Sequence, residues 1–311
     1  MKMELQTNTS GSLHQQKGWK IWWQLTRPHT LTAAFVPVIL GTVIALYSTP
    51  IDWTLFTAML LASLLIQAAT NMFNEYYDYV RGLDHEGSVG IGGAIVRHGV
   101  KPKKVLSLAF ILFGIALLLG VYICMNSSWW IAAVGLVSMA AAYFYTGGPI
   151  PIAYTPFGEI TSGFFMGFVI ILISYFIQTG EVTTTSMIIS IPVSILIGAI
   201  LLSNNIRDLD GDKENGRKTL AILIGRNNAI KLLATMFIIA YVWIIMMIFL
   251  DYASIWLLVV FLSAPIPIKA VKGFIGKTEP IQMMPAMKAT AQTNTLFGFL
   301  MSIGYILAYI F

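Results

Sequence analysis

Long apolar runs separated by short polar connections recur from one end of this chain to the other. Runs of about 18 or more apolar residues can cross a ~30 Å hydrocarbon core as helices. Nine are predicted, near residues 29–48, 53–74, 105–124, 128–146, 157–177, 186–205, 229–250, 253–273 and 292–311. The expected fold is all-α, a polytopic membrane bundle of nine transmembrane helices. The first eighteen residues, "MKMELQTNTSGSLHQQKG", are polar and lack the apolar core of a cleavable signal. They are expected to form a cytoplasmic tail, with residues 19–311 as one membrane-embedded domain.

Composition agrees with the pattern. Hydrophobic residues make up 57% of the chain and charged residues 11%, against roughly 25% charged in a soluble domain. The basic residues fall into four groups: Lys2, Lys17, Lys20 and Arg27; Arg81, Arg97, Lys101, Lys103 and Lys104; Arg207, Lys213, Arg217, Lys218, Arg226 and Lys231; and Lys269, Lys272, Lys277 and Lys288. Together these hold all 19 Lys and Arg. With nine spans all four groups share one side, so the N-terminus is expected in the cytoplasm and Phe311 outside. The basic pI, near 9.2, then follows from topology and needs no nucleic-acid partner. The lone Cys124 cannot build a disulfide framework, and no obligate protein partner is indicated.

Two polar interruptions carry the candidate chemistry. In "NMFNEYYDYVRGLD", residues 71 to 84, Asn71, Asn74 and Asp78 are spaced by three and four, so they share a helix face. In "SNNIRDLDGDKENGRK", residues 203 to 218, Asn204 or Asn205, Asp208 and Asp212 repeat the spacing. The matched motifs, at the ends of the second and sixth runs, suggest a doubled four-helix unit. Carboxylates one turn apart repel, and desolvation near a bilayer adds to the cost. A magnesium ion suits such oxygen ligands, because it takes its remaining ligands from water and substrate phosphates. Arg97, Lys101, Arg217 and Lys218 are placed to hold the phosphate oxygens that the metal does not reach. A magnesium-bound diphosphate at the mouth of a helical bundle is the chemistry implied.

Plainer readings exist for each feature. A single acidic helix end can simply be solvated; two matched ones are harder to obtain that way. Lys101, Lys103 and Lys104 serve topology in any case. Arg27, His29 and Thr32 can be an interfacial helix start behind Pro28, and Tyr145 can belong to an aromatic belt. Gln67, Gln292 and Asn294 lie within predicted spans, where polar side chains are expected to face the bundle interior.

These motifs resemble the UbiA superfamily of intramembrane aromatic prenyltransferases, along the whole length from the first to the ninth run. The family pattern is an Asn-Asp pair with spaced aspartates on the second helix and a further aspartate cluster on the sixth. Here the first reads Asn74-Glu75 followed by Asp78, and the second Asp208, Asp210 and Asp212 followed by "GRKTLA". Glu75 replaces the usual aspartate, and Gly82 stands where the next would fall, with Asp84 two positions on. "NEYYDYVRGLD", "SVGIGGAIVRHG" and "YTGGPIPIAYTPFGE" look like the branch that prenylates dihydroxynaphthoate in menaquinone synthesis. No basic residue lies between Tyr143 and Glu159, where the hydroxybenzoate branch typically carries them.

The resemblance implies transfer of a polyprenyl chain from its diphosphate to 1,4-dihydroxy-2-naphthoate, with loss of diphosphate and carbon dioxide. Asn74, Asp78, Asp208 and Asp212 would be the catalytic residues, holding Mg2+ together with Asp84. Asn71, Arg97, Tyr145, Asn205, Arg217 and Lys218 would bind substrate. Tyr76, Tyr77 or Tyr145 would face the allylic cation, and Phe164, Phe165, Phe168 and Phe176 the prenyl tunnel. The alternatives are a different aromatic acceptor, hydroxybenzoate or homogentisate, and a secondary transporter. Carboxylates clustered at one face rather than the midplane argue against the transporter.

Overall fold

The computed structural model describes residues 18–28, 30–84 and 93–311. The expected tail up to Lys17, His29, and residues 85–92 of the loop after the first motif lie outside the described residues. Regular structure among the described residues is helical throughout. A short helix α1 (Trp19–Leu25) precedes α2 (Thr32–Ala45) and α3 (Trp53–Val80). Asp52 starts α3 by accepting the Thr54 and Leu55 amides at 2.8 and 3.1 Å, which satisfies donors the first turn leaves open. Then follow α4 (Ala94–His98), α5 (Pro102–Asn126) and α6 (Trp130–Phe144). Gly93 and Gly99 bracket α4 at φ +102° and +63°, a region side chains disfavour.

Helix α7 (Gly158–Ser162) passes through a π-helical stretch, Gly163–Val169, into α8 (Ile170–Thr179). After Thr183 and Ser186 close a capping box, α9 (Thr184–Arg207) runs to Asp208, where the helix breaks before α10 (Leu209–Glu214). The second aspartate motif is therefore not one continuous helix, although the Asp212 amide still reaches the Asp208 carbonyl at 2.8 Å. The chain continues through α11 (Leu220–Ile224), α12 (Arg226–Phe249), a 3₁₀ stretch Ile255–Ser263, α13 (Pro265–Phe274) and α14 (Pro280–Ile310).

Seven of these segments are long and apolar enough to cross a membrane, counting α7–α8 as one and the 3₁₀ stretch with α13 as another; α2 and α6 are apolar but shorter. The nine expected runs thus all reappear as helical segments, seven of them at spanning length. The π-helical stretch lies flush on α9: a Cβ at Gly163 would stand 2.6 Å from the Ser194 carbonyl oxygen, and one at Gly167 2.4 Å from the Ser194 Cα. The largest buried core joins α2, α8, α9 and α12 to α14. A second joins α1, α3, α4 and α5. Asn294 faces inward as expected, whereas Gln292 is exposed, because the two residues lie 200° apart around α14.

Candidate active site

Between these cores lies a cavity of about 430 Å³, walled by α2, α3, α5, α6, the α7–α8 segment and α9. Its lining runs along α3 from Met59 to Asn74, about 22 Å of helix at 1.5 Å per residue. One end is apolar, with Ile123, Cys124 and Ile131. The other gathers Arg27, Asn71, Asn74, Tyr145 and Asn204. Of the expected tunnel phenylalanines only Phe165 lines it; Phe164 stacks on Phe168 at 5.8 Å and is exposed. Tyr77 faces away too, its hydroxyl 2.6 Å from that of Tyr143, and neither it nor Tyr76 is in the wall.

Just beyond the polar end, Arg217 joins the two motifs. Its guanidinium lies 2.8 Å from Asp78 Oδ1 and 3.1 Å from Asp212 Oδ1. Burial alone would lower the Arg217 pKa, but Asp78 and Asp212 outweigh it and hold the group above its ordinary value. Burial pushes the Asp212 carboxyl up to about 6 despite the pull of Arg217. Asp84 is likewise raised to about 6, first by burial and then by the charges of Asp78 and Glu75, so the displaced aspartate belongs to the same electrostatic group. Asp208 is held by its neighbour Arg207, whose Nε and Nη2 reach its oxygens at 2.6 and 2.5 Å.

The donor set fits a magnesium ion. Asn74 and Asn204 each leave a buried side-chain carbonyl oxygen without a partner, and both residues line the cavity. Buried oxygens without donors are costly unless a cation or water satisfies them. No group of three or more Asp, Glu, His or Cys is gathered tightly enough to hold a metal among the described residues. A metal here would draw on paired carboxylates, amide carbonyls and substrate oxygens, which suits magnesium better than a closed protein cage.

Several expected roles move. The pocket-facing amide is Asn204, not Asn205, whose Nδ2 donates to Glu159 Oε1 at 2.9 Å; adjacent amides cannot be told apart by spacing alone. The Asn71 amide lines the cavity and ties α3 to the connection between α1 and α2, donating to the Thr26 carbonyl at 2.8 Å and to Thr30 Oγ1 at 3.0 Å. The Lys218 side chain is exposed; its backbone amide is what binds, to the Tyr154 carbonyl at 2.9 Å. Arg97 is exposed at the end of α4 and acts on Asp84 through its charge. Glu75 is buried and accepts from the Gly93 amide at 2.8 Å and the Ile95 amide at 3.2 Å, with Arg27 3.9 Å away. It anchors the start of α4 and does not line the cavity.

Residues that the spacing argument did not single out complete the rim. Arg81 donates to the carbonyls of Thr146 and Gly148, fastening the connection after α6. The Tyr154 ring lies 5.4 Å from the Arg81 guanidinium and 4.9 Å from that of Arg217, cation–π distances that hold both cations over the site. Arg27 lines the cavity at φ +49°, a strained conformation for a non-glycine residue.

The family model for UbiA prenyltransferases matches residues 34–296. The chain is 62% identical over 290 residues to a 1,4-dihydroxy-2-naphthoate octaprenyltransferase of Bacillus subtilis, covering 93% of each chain. The apo structure of a UbiA homolog from Aeropyrum pernix superposes with a TM-score of 0.68 at 14% identity, covering 91% of this chain and 98% of that one. A UbiA homolog from Archaeoglobus fulgidus bound to DMAPP and Mg2+ gives a TM-score of 0.60 at 16% identity, covering 91% and 99%. With both aspartate motifs at the polar end of one helical cavity and the family match spanning most of its length, the chain belongs to the UbiA prenyltransferase family.

Proposed function

We propose that the chain transfers a polyprenyl group from polyprenyl diphosphate to 1,4-dihydroxy-2-naphthoate, releasing diphosphate and carbon dioxide. The observation that carries the choice of acceptor is the identity with the Bacillus subtilis naphthoate enzyme over nearly the whole chain. The apolar cavity receives the prenyl tail, where each CH₂ removed from water contributes about 0.8 kcal/mol. Asn74, Asp78, Asp208 and Asp212 hold Mg2+, with Asn204 as a further oxygen donor and Asp84 close to Asp78. When bound, magnesium neutralises the charge that grows on the departing diphosphate. Arg217 offers its guanidinium to the diphosphate oxygens. Tyr145, at the junction of cavity and rim, presents a π face to the allylic cation. The apolar wall keeps water from that cation.

Nine crossings complete the reading, seven long helices and the shorter α2 and α6. Only an arrangement in which α2 and α6 also cross puts all four basic groups on one side, which is then cytoplasmic. The test of activity is direct. Purified protein given prenyl diphosphate and dihydroxynaphthoate should release pyrophosphate with magnesium and not with EDTA; equal release in both would overturn the metal site.

A further inference from the structure

The groove between α1 and the start of α5 plays no part in the scheme above. Trp22 forms one side of it, and Lys103, Lys104, Ser107, Leu108 and Ile111 form the other. Residues three and four apart on a helix share a face, so the α5 side is a single stripe. From Lys103 to Ile111 it runs about 12 Å, at 1.5 Å per residue. Two ammonium groups stand at its top, a hydroxyl in the middle and branched aliphatic side chains below. Lys103, Lys104, Ser107 and Ile111 are exposed and Leu108 is half-buried, so the described chain leaves the stripe open.

The top of the stripe is unfavourable by itself. Lys101 is the N-cap of α5, Lys103 and Lys104 lie in its first turn, and that turn holds no acidic residue. Cations there oppose the positive end of the helix dipole, and Lys101 and Lys104 repel one another at a spacing of three. No carboxylate among the described residues forms an ion pair with Lys103 or Lys104. Topology does not ask for this arrangement, because lysines anywhere in the connection before α5 orient the chain equally well.

Across the groove, α1 has the character of a helix lying along a membrane surface. Trp19 and Trp23 are 70% and 52% exposed, while Ile21 and Leu25 pack into the core shared with α3, α4 and α5. Tryptophan favours the headgroup level of a bilayer, and α5 is one of the helices of spanning length. The first turns of α5 therefore meet α1 where headgroups give way to acyl chains. Down the stripe, ammonium, hydroxyl and aliphatic groups follow in the order of phosphate, glycerol and acyl chain in a phospholipid.

We propose that this groove binds one anionic phospholipid, its phosphate on Lys103 and Lys104, its glycerol at Ser107 and an acyl chain along Leu108 and Ile111 against Trp22. Basic pockets between helices at a membrane surface take anionic headgroups in this way. A zwitterionic headgroup brings an ammonium of its own, which the lysines repel. The bound lipid braces α1 against α5. Just beyond α1, the Thr26 carbonyl accepts the Asn71 amide at 2.8 Å, so the brace reaches the polar end of the cavity.

Purified full-length protein in neutral detergent, titrated with phosphatidylglycerol, phosphatidylcholine or glycerol 3-phosphate, tests this by thermal midpoint and by native mass spectrometry. Phosphatidylglycerol should bind saturably and raise the midpoint, and the other two should do neither. Lys103→Gln combined with Lys104→Gln should weaken phosphatidylglycerol about 30-fold, the scale of two lysines at a membrane surface. Lys269→Gln combined with Lys272→Gln, exposed on α13 in another basic group, should leave binding unchanged. Equal weakening by the two double variants would assign the effect to diffuse surface charge and overturn the site. Equal binding of phosphatidylcholine would overturn the selection by charge, and a midpoint raised by glycerol 3-phosphate alone would make this a phosphate site and not a lipid groove. Ser107→Trp fills the groove while keeping both lysines, so it decides the matter even if the lysine pair cannot be replaced: saturable binding that survives it would overturn the proposal.

Discussion

Individual side chains divide into those that face the reaction and those that hold the site in shape, and neighbours in sequence can fall on opposite sides of that line. Asp78 pairs with Arg217 across the site, while Glu75, one turn earlier, binds backbone amides of residues 93 and 95. Asp78→Ala or Asp208→Ala should lower turnover at least about 100-fold, as loss of a metal ligand or its support does, with the protein still folded. Steady-state kinetics on purified variants checks this. Glu75→Ala should instead leave buried amides without acceptors, at about 1–3 kcal/mol, and speed tryptic cleavage at Arg97. The spacing of Asn74, Asp78, Asp208 and Asp212 was legible because helical periodicity is local. The role of Glu75 was not, since its partners are 18 and 20 positions away and only tertiary structure brings Gly93 and Ile95 to it.

At the level of helices, apolar patterning located every long segment, but it carried no information on how closely two of them approach. The π-helical stretch is set by Gly163 and Gly167, which let α9 come within contact of the backbone; its consequence is that Phe165 and Met166 turn into the cavity while Phe164 faces out. π-bulges of this kind recur at functional sites. Gly167→Val should destabilise by about 1–3 kcal/mol or more through overpacking, whereas Gly114→Ala, with open space around it, should be neutral or slightly stabilising. Thermal unfolding in detergent separates the two. The Arg81 clamp on the connection after α6 was likewise invisible in the sequence, where Arg81 reads only as a topology signal.

For the whole molecule, the proposed orientation rests on the distribution of charge and the proposed chemistry on the cavity. Tags after Met1 and within residues 276–284 should face the cytoplasm, and a tag after Phe311 should be accessible outside. A protected C-terminal tag in intact cells would contradict nine crossings. With that orientation both aspartate motifs and the connection "TGGPIPIAYTPFGE", which carries no basic residue, meet at the cytoplasmic mouth. Tyr145 lines the cavity there and Tyr154 lies against Arg81 and Arg217, while the connection itself brings no cationic side chain.

The identity of the reaction therefore turns on the acceptor. One competition assay tests it: a single prenyl diphosphate, magnesium, and equal concentrations of dihydroxynaphthoate labelled at its carboxyl carbon, hydroxybenzoate and homogentisate. Dihydroxynaphthoate should be prenylated at least about tenfold faster, a discrimination of about 1.4 kcal/mol, with the label released as carbon dioxide in step with product. Preference for hydroxybenzoate or homogentisate, or a product that retains the label, would contradict it.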